Sequence, residues 1–122
     1  MAGPAARLTA INLTRGARLT EGGRIADTPA TRMTGLLNDR GLAPGDGLWI
    51  VPCNSIHSFG MKFIFDAVFL SRDLRVVHLV GEMKPWRISR IVWRAHSVLE
   101  LPAGVIAHTD TQAGDQFEMR RE

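Results

Sequence analysis

The chain contains one cysteine, Cys53, in 122 residues. A single thiol makes no intrachain disulfide and cannot by itself build a Cys-only zinc site, so stability has to come from packing. Lysine is nearly absent as well, with Lys62 and Lys84 alone, and arginine supplies the rest of the 15 basic residues. Arginine keeps its charge and offers a planar fork suited to carboxylates and phosphates, although a GC-rich genome produces the same bias. No segment approaches the roughly 18 apolar residues of a membrane span. The opening MAGPAARLTAINL has no apolar run behind a basic one and so does not read as a secretory signal. Internal repeats and low-complexity tracts are missing too. Together these absences favour a soluble chain, expected in the cytoplasm as given.

The composition is that of an ordinary folded protein: 45% hydrophobic and 22% charged, far from the signature of disorder. This length supports one core and not two, so residues 1–122 are expected to form a single domain. The net charge is +3, from 15 basic against 12 acidic residues. That is a weak bias for a dedicated nucleic-acid binder. The sequence leaves the oligomeric state open.

Short apolar runs punctuated by turn signals dominate the chain. Leu8 to Leu13 and Arg24 to Ala26, separated by Glu21-Gly22-Gly23, suggest an N-terminal hairpin within residues 1–28. Thr28-Pro29 is a helix start, with a hydroxyl to cap a backbone N–H and a proline at the first helical position. The spacing of Met33, Leu36 and Leu37 predicts a helix from Pro29 to Asn38, capped by Gly41. Strands are expected over Leu48–Val51, Phe65–Leu70, Arg75–Val80, Val98–Leu101 and Gln116–Met119, with a helical turn over Ala103–Ala107. Such a pattern argues for a mainly β (α+β) fold, an antiparallel jelly-roll-like sandwich or small barrel with one early helix. The stretch Lys84–Arg94 fits neither period and reads as a covering loop or an edge strand.

The chemistry concentrates in Pro52–Asp66, PCNSIHSFGMKFIFD. Cys53, His57 and Met61 are four residues apart. In a continuous strand they would share a face, but at about 3.3 Å per residue neighbours would lie roughly 13 Å apart. Only a bent backbone lets them converge, and Pro52, Asn54, Ser55 and Gly60 favour a bend. If they converge, thiolate, imidazole and thioether form a soft ligand set for a thiophilic metal. The alternative is a buried thiol, a hydrogen-bonded histidine and a packed methionine, with no cofactor. A second possibility makes Cys53 a nucleophile and His57 its base. A third makes His57 and Asp66 an acid–base pair.

Alternation places Asp66 on the same strand face as Val68 and Leu70, where an ionised carboxylate needs a partner. Arg32 is the first candidate, followed by Arg40, His57 and Lys62. The same reasoning applies to Glu100 between Leu99 and Leu101. Lys84, Arg87, Arg90 and Arg94 interleave with Trp86 and Trp93, a pattern compatible with single-stranded nucleic acid but more simply read as a solvated covering loop.

Several blocks in order, Arg32 with Gly35-Leu36-Leu37-Asn38-Asp39-Arg40, Gly47-Leu48-Trp49, Ile56-His57-Ser58-Phe59-Gly60-Met61, Phe65 to Leu70, Val98 to Gly104 and Gly114-Asp115, resemble the bacterial and archaeal family called domain of unknown function 192. The match runs from about Arg32 to Phe117. Gly60, where the family often has an aromatic residue, and Ile64-Phe65, in place of a common Pro-Leu, depart from it. The resemblance implies a jelly-roll-like β domain and no agreed activity. The residue types then point to a non-catalytic module with a pocket beside Cys53–Met61, where His57 gives a polar contact, Phe59, Met61 and Trp86 give apolar walls, and Arg32 favours a small anionic ligand.

Overall fold

Seven strands and two short helices follow in the order β1 (Leu8–Asn12), β2 (Ala17–Ala26), α1 (Pro29–Thr34), β3 (Leu48–Ile50), β4 (Phe65–Leu70), β5 (Val76–Met83), β6 (Ser97–Pro102), α2 (Val105–Thr109) and β7 (Phe117–Arg121). The computed structural model describes residues 7–37 and 39–122. The strands form one sheet in the order β5-β4-β6-β3-β2-β1-β7, antiparallel except between β2 and β3. An isolated bridge between Arg75 and Gln116 joins the start of β5 to the start of β7, so the two edges of the sheet meet at one corner. The result is a curled half-barrel, mainly β, with two short helices.

β4 is paired on both sides, with β5 and β6, and all six of its residues are buried. Its alternation divides the core. Phe65, Ala67 and Phe69 join Leu48, Ile50 and Val98 on one face, under Leu36 and the segment around Ile56 and Met61. Val68 and Leu70 join Leu8, Leu19, Leu99, Leu101 and Phe117 on the other. Burial of an aromatic or aliphatic side chain of this size contributes about 1.5–3 kcal/mol, so the two clusters are the main source of stability.

Three expectations about local structure are corrected. The first hairpin turns at Leu13–Gly16 and not at Glu21-Gly22-Gly23, which lie inside β2. Gly23 serves close packing instead: a Cβ there would stand 3.3 Å from the carbonyl oxygen of Gly47 and 3.2 Å from the Thr20 side chain. The helix that was to run from Pro29 to Asn38 stops at Thr34, because Gly35 caps it, with its N–H donated to the Thr31 carbonyl. Asn38 lies outside the described residues. The start is as the sequence indicated: the Thr28 hydroxyl accepts from the N–H of Thr31, and the Thr31 hydroxyl from the N–H of Thr28. Met33, expected on the packed face, is 82% exposed, while Leu36 is buried in the turn that follows the helix.

Of the two readings of Lys84–Arg94, the structure has the covering loop and not an edge strand of the sheet. The loop runs antiparallel to residues 54–58, with Trp86 N–H donated to Ser58 O at 3.0 Å, Ser89 N–H to Ile56 O at 2.8 Å and Val92 N–H to Asn54 O at 2.8 Å. This irregular ribbon leaves the other side of the 53–61 segment facing α1.

Candidate functional site

Past Pro52 the chain bends as the residue types suggested. Ser58 is fully buried; its hydroxyl donates to Lys84 O at 2.5 Å and accepts from Arg87 N–H at 2.9 Å. Met61 N–H then reaches back to Ser58 O at 3.1 Å. Gly60 completes this turn at φ +81°, a backbone shape that side chains resist. A Cβ on Gly60 would lie 3.5 Å from Leu37. The glycine that departs from the family pattern is therefore what the turn geometry calls for.

The bend creates a cleft of about 150 Å³ between α1 with its following turn and the 52–61 segment. Cys53, His57, Met61 and Arg32 all line it, and Ile50 and Glu100 contribute from the sheet. A volume near 150 Å³ is about what holds benzene in an engineered apolar cavity, so the cleft suits a ligand of a few heavy atoms.

Glu100 is the residue that sequence reasoning singled out as needing a partner without assigning it to the site. It shares a face of β6 with Val98, so it points toward the cleft side of the sheet and is only 4% exposed. Its carboxyl forms no hydrogen bond among the described residues. Burial pushes its carboxyl from the usual 4.5 to about 8, opposed weakly by Arg24. At neutral pH it is therefore mostly a neutral acid that can donate an O–H. The signal was the alternation in Val98-Leu99-Glu100-Leu101, which sets Glu100 opposite to its leucine neighbours.

Arg32 reaches across the cleft mouth, with Nη1 at 3.5 Å from Pro52 O. Its Nε is buried and has no hydrogen-bond partner among the described residues. Such an unsatisfied donor costs free energy until an acceptor arrives. Cys53 is half-buried; its Sγ donates to Ser55 O at 3.2 Å. Burial pushes the Cys53 thiol above its ordinary value; the Ser55 contact works against this, Glu100 adds to it, and Arg32 opposes it. The His57 Nδ1 accepts from Phe59 N–H at 3.3 Å, which places the proton of the neutral ring on Nε2.

The remaining candidates lie elsewhere. Phe59 and Trp86, expected as walls of the pocket, stand outside it as a surface stack: the His57 and Phe59 rings are 5.1 Å apart and the Phe59 and Trp86 rings 6.0 Å apart. Asp66 does lie with Val68 and Leu70, but its partner is not Arg32. Oδ1 accepts from Glu82 N–H and Oδ2 from Ile106 N–H, both at 2.8 Å. With both oxygens engaged by backbone on the opposite face of the sheet, Asp66 cannot serve as the acid–base partner of His57. Its role is to join β4 to the bulge of β5 and the first turn of α2. The Cys53 thiol bonds backbone, not imidazole, and burial keeps it protonated, which opposes both the nucleophile and the metal-thiolate arrangement. Among the described residues no three His, Cys, Asp or Glu side chains group closely enough to hold an ion. No helix among them is long and apolar enough to cross a membrane.

Residues 11–119 match the family model DUF192, described as Uncharacterized ACR. A UPF0127 protein of Thermococcus sibiricus is 32% identical over 120 residues, covering 92% of this chain and 75% of the relative. A UPF0127 protein of Pyrococcus horikoshii is 35% identical over 101 residues, covering 78% of this chain and 84% of the relative. The fold is similar to the crystal structure of a protein of unknown function from Novosphingobium aromaticivorans, with a TM-score of 0.78 at 22% identity over 92% of this chain and 83% of the other.

Proposed function

We propose, on the premise that the chain belongs to the DUF192 family of uncharacterised proteins, that it is a non-catalytic module binding a small anionic ligand in the cleft beside Cys53–Met61. The observation that carries this reading is the buried, unpartnered Nε of Arg32 in a cleft whose buried acid, Glu100, is largely neutral at pH 7. An ionised Glu100 would repel an anion; a protonated one donates to it. A carboxylate of two to four carbons has the size and the acceptors that these donors lack. Cys53, His57 and Met61 supply a soft, mostly apolar wall around it. The lone thiol, held protonated by burial, suits a reducing compartment such as the cytoplasm.

The test is a titration of the isotope-labelled protein with acetate and, separately, with inorganic phosphate, followed by NMR. Acetate should shift the Arg32 Nε–H and the amides of Cys53 and His57 saturably, and Arg32→Met should abolish the effect. Saturable shifts confined to residues away from the cleft, or none with either anion, would refute the reading. A soft-metal role remains the second possibility because Cys53, His57 and Met61 line one cleft. It requires a thiolate that the burial of Cys53 opposes.

A further inference from the structure

Beside the cleft, and sharing only His57 with it, lies a surface that the proposed ligand does not use. Between Glu82 and Glu100 the chain carries no acid, while Lys84, Arg87, Arg90 and Arg94 give residues 84–94 a charge of +4. The whole chain carries +3, so the rest of the molecule carries −1. All of the excess positive charge therefore resides in one ribbon. The same ribbon exposes large apolar side chains: Trp86 at 67%, Ile88 at 69%, Ile91 at 49% and Trp93 at 82%.

These groups are held, not loose. The backbone bonds to Asn54, Ile56 and Ser58 fix the ribbon. Val92 is buried between the exposed Ile91 and Trp93 and anchors that end. At the other end Ile88 is the bridge partner of His57, whose ring stacks on Phe59, which in turn stacks on Trp86. Ile88, Phe59 and Trp86 thus form one patch, with Lys84, Arg87 and Arg90 around the concavity that Ile88 helps to line. Glu82 is the acid that shares this concavity.

We propose that the 84–94 ribbon docks the protein on a bilayer surface rich in anionic phospholipid. Tryptophan favours the boundary between headgroups and acyl chains, and arginine stems lie along apolar surface while their heads reach lipid phosphates. The isoleucines decide between this partner and single-stranded nucleic acid. Bases stack on aromatic faces and on guanidinium planes, and the exposed branched chains of Ile88 and Ile91 offer neither, whereas acyl chains accept them. Docking here also leaves the cleft on the opposite side of the 53–61 segment open to solutes, apart from His57, which borders both.

The experiment is co-flotation of the full chain with vesicles of phosphatidylcholine alone and of phosphatidylcholine mixed with phosphatidylserine, together with tryptophan emission. Trp49 packs against the opposite core cluster and gives a constant background. Binding to the mixed vesicles, a blue shift lost in Trp86→Phe/Trp93→Phe, and a loss of about tenfold or more on raising salt support the proposal. Arg90→Glu/Arg94→Glu should weaken flotation by about tenfold or more, while the melting transition shows that the variant is folded. No flotation with the mixed vesicles at low salt would overturn it. So would equal binding to both vesicle types, or displacement from vesicles by an oligothymidylate that binds the ribbon more tightly.

Discussion

The Asp66 carboxylate accepts the backbone N–H of Ile106, 40 residues further along the chain, at 2.8 Å, and through its other oxygen the N–H of Glu82. A buried acid in β4 thus fixes the first turn of α2 and the bulge of β5. Asp66→Asn keeps one acceptor and leaves one of the two N–H groups without one, at a cost of about 1–3 kcal/mol for each orphaned donor. A urea melt should show that loss. Acetate binding, measured well below the melting temperature, should be unchanged, since Asp66 lies on the other face from the cleft.

Glu100 should make stability fall as pH rises. Its carboxyl titrates near 4.5 when unfolded and near 8 when folded. Between those values the folded state holds a proton that the unfolded state has lost, so the stabilising contribution is complete below about 4.5 and is lost as pH rises toward 8. The full difference is on the order of 5 kcal/mol. Glu100→Gln should flatten this part of the pH–stability curve measured by denaturant unfolding. A curve for the variant as steep as that of the parent would show that another group is responsible.

Cys53 should behave as a sluggish thiol. Burial raises it above its ordinary value, and only the thiolate attacks alkylating agents. The iodoacetamide rate at pH 7 should be well below that of a free cysteine and should rise with a midpoint above the usual range. Unfolding in urea should restore ordinary reactivity. Fast alkylation at pH 7 in the folded protein would reinstate the nucleophile.

The capping box at Thr28 and Thr31 holds the short helix that forms one wall of the cleft. Thr28→Ala should cost about 1 kcal/mol, read as a lower melting temperature. Because α1 carries Arg32, acetate affinity should fall with it.

Much of the architecture was legible because local signals and tertiary demands agreed. Phe65–Leu70 reads as a strand and is one, since every residue in it is buried and all but Asp66 are apolar. Thr28-Pro29 starts α1, and the small and polar residues after Pro52 do bend the chain toward a common cleft. Other features depended on partners distant in sequence. Gly22-Gly23 looks like a turn, yet Gly23 is needed where the Gly47 carbonyl and the Thr20 side chain leave little room for a Cβ. Gly35 ends the helix well before its apolar spacing does. The partners of Asp66 are backbone N–H groups 16 and 40 residues away, which no side-chain pairing rule can name. Aromatic residues usually line pockets, but the turn at Gly60 and the bonds of Ser58 hold Phe59 and Trp86 on the outer side.

The most direct measurement is the side-chain carboxyl ¹³C resonance of Glu100, followed at pH 7 while acetate is added. The account predicts a carboxyl that is mostly protonated before acetate and a resonance that moves saturably as the anion fills the cleft between it and Arg32. A resonance at the ionised position, titrating near 4.5 and indifferent to acetate, would contradict it.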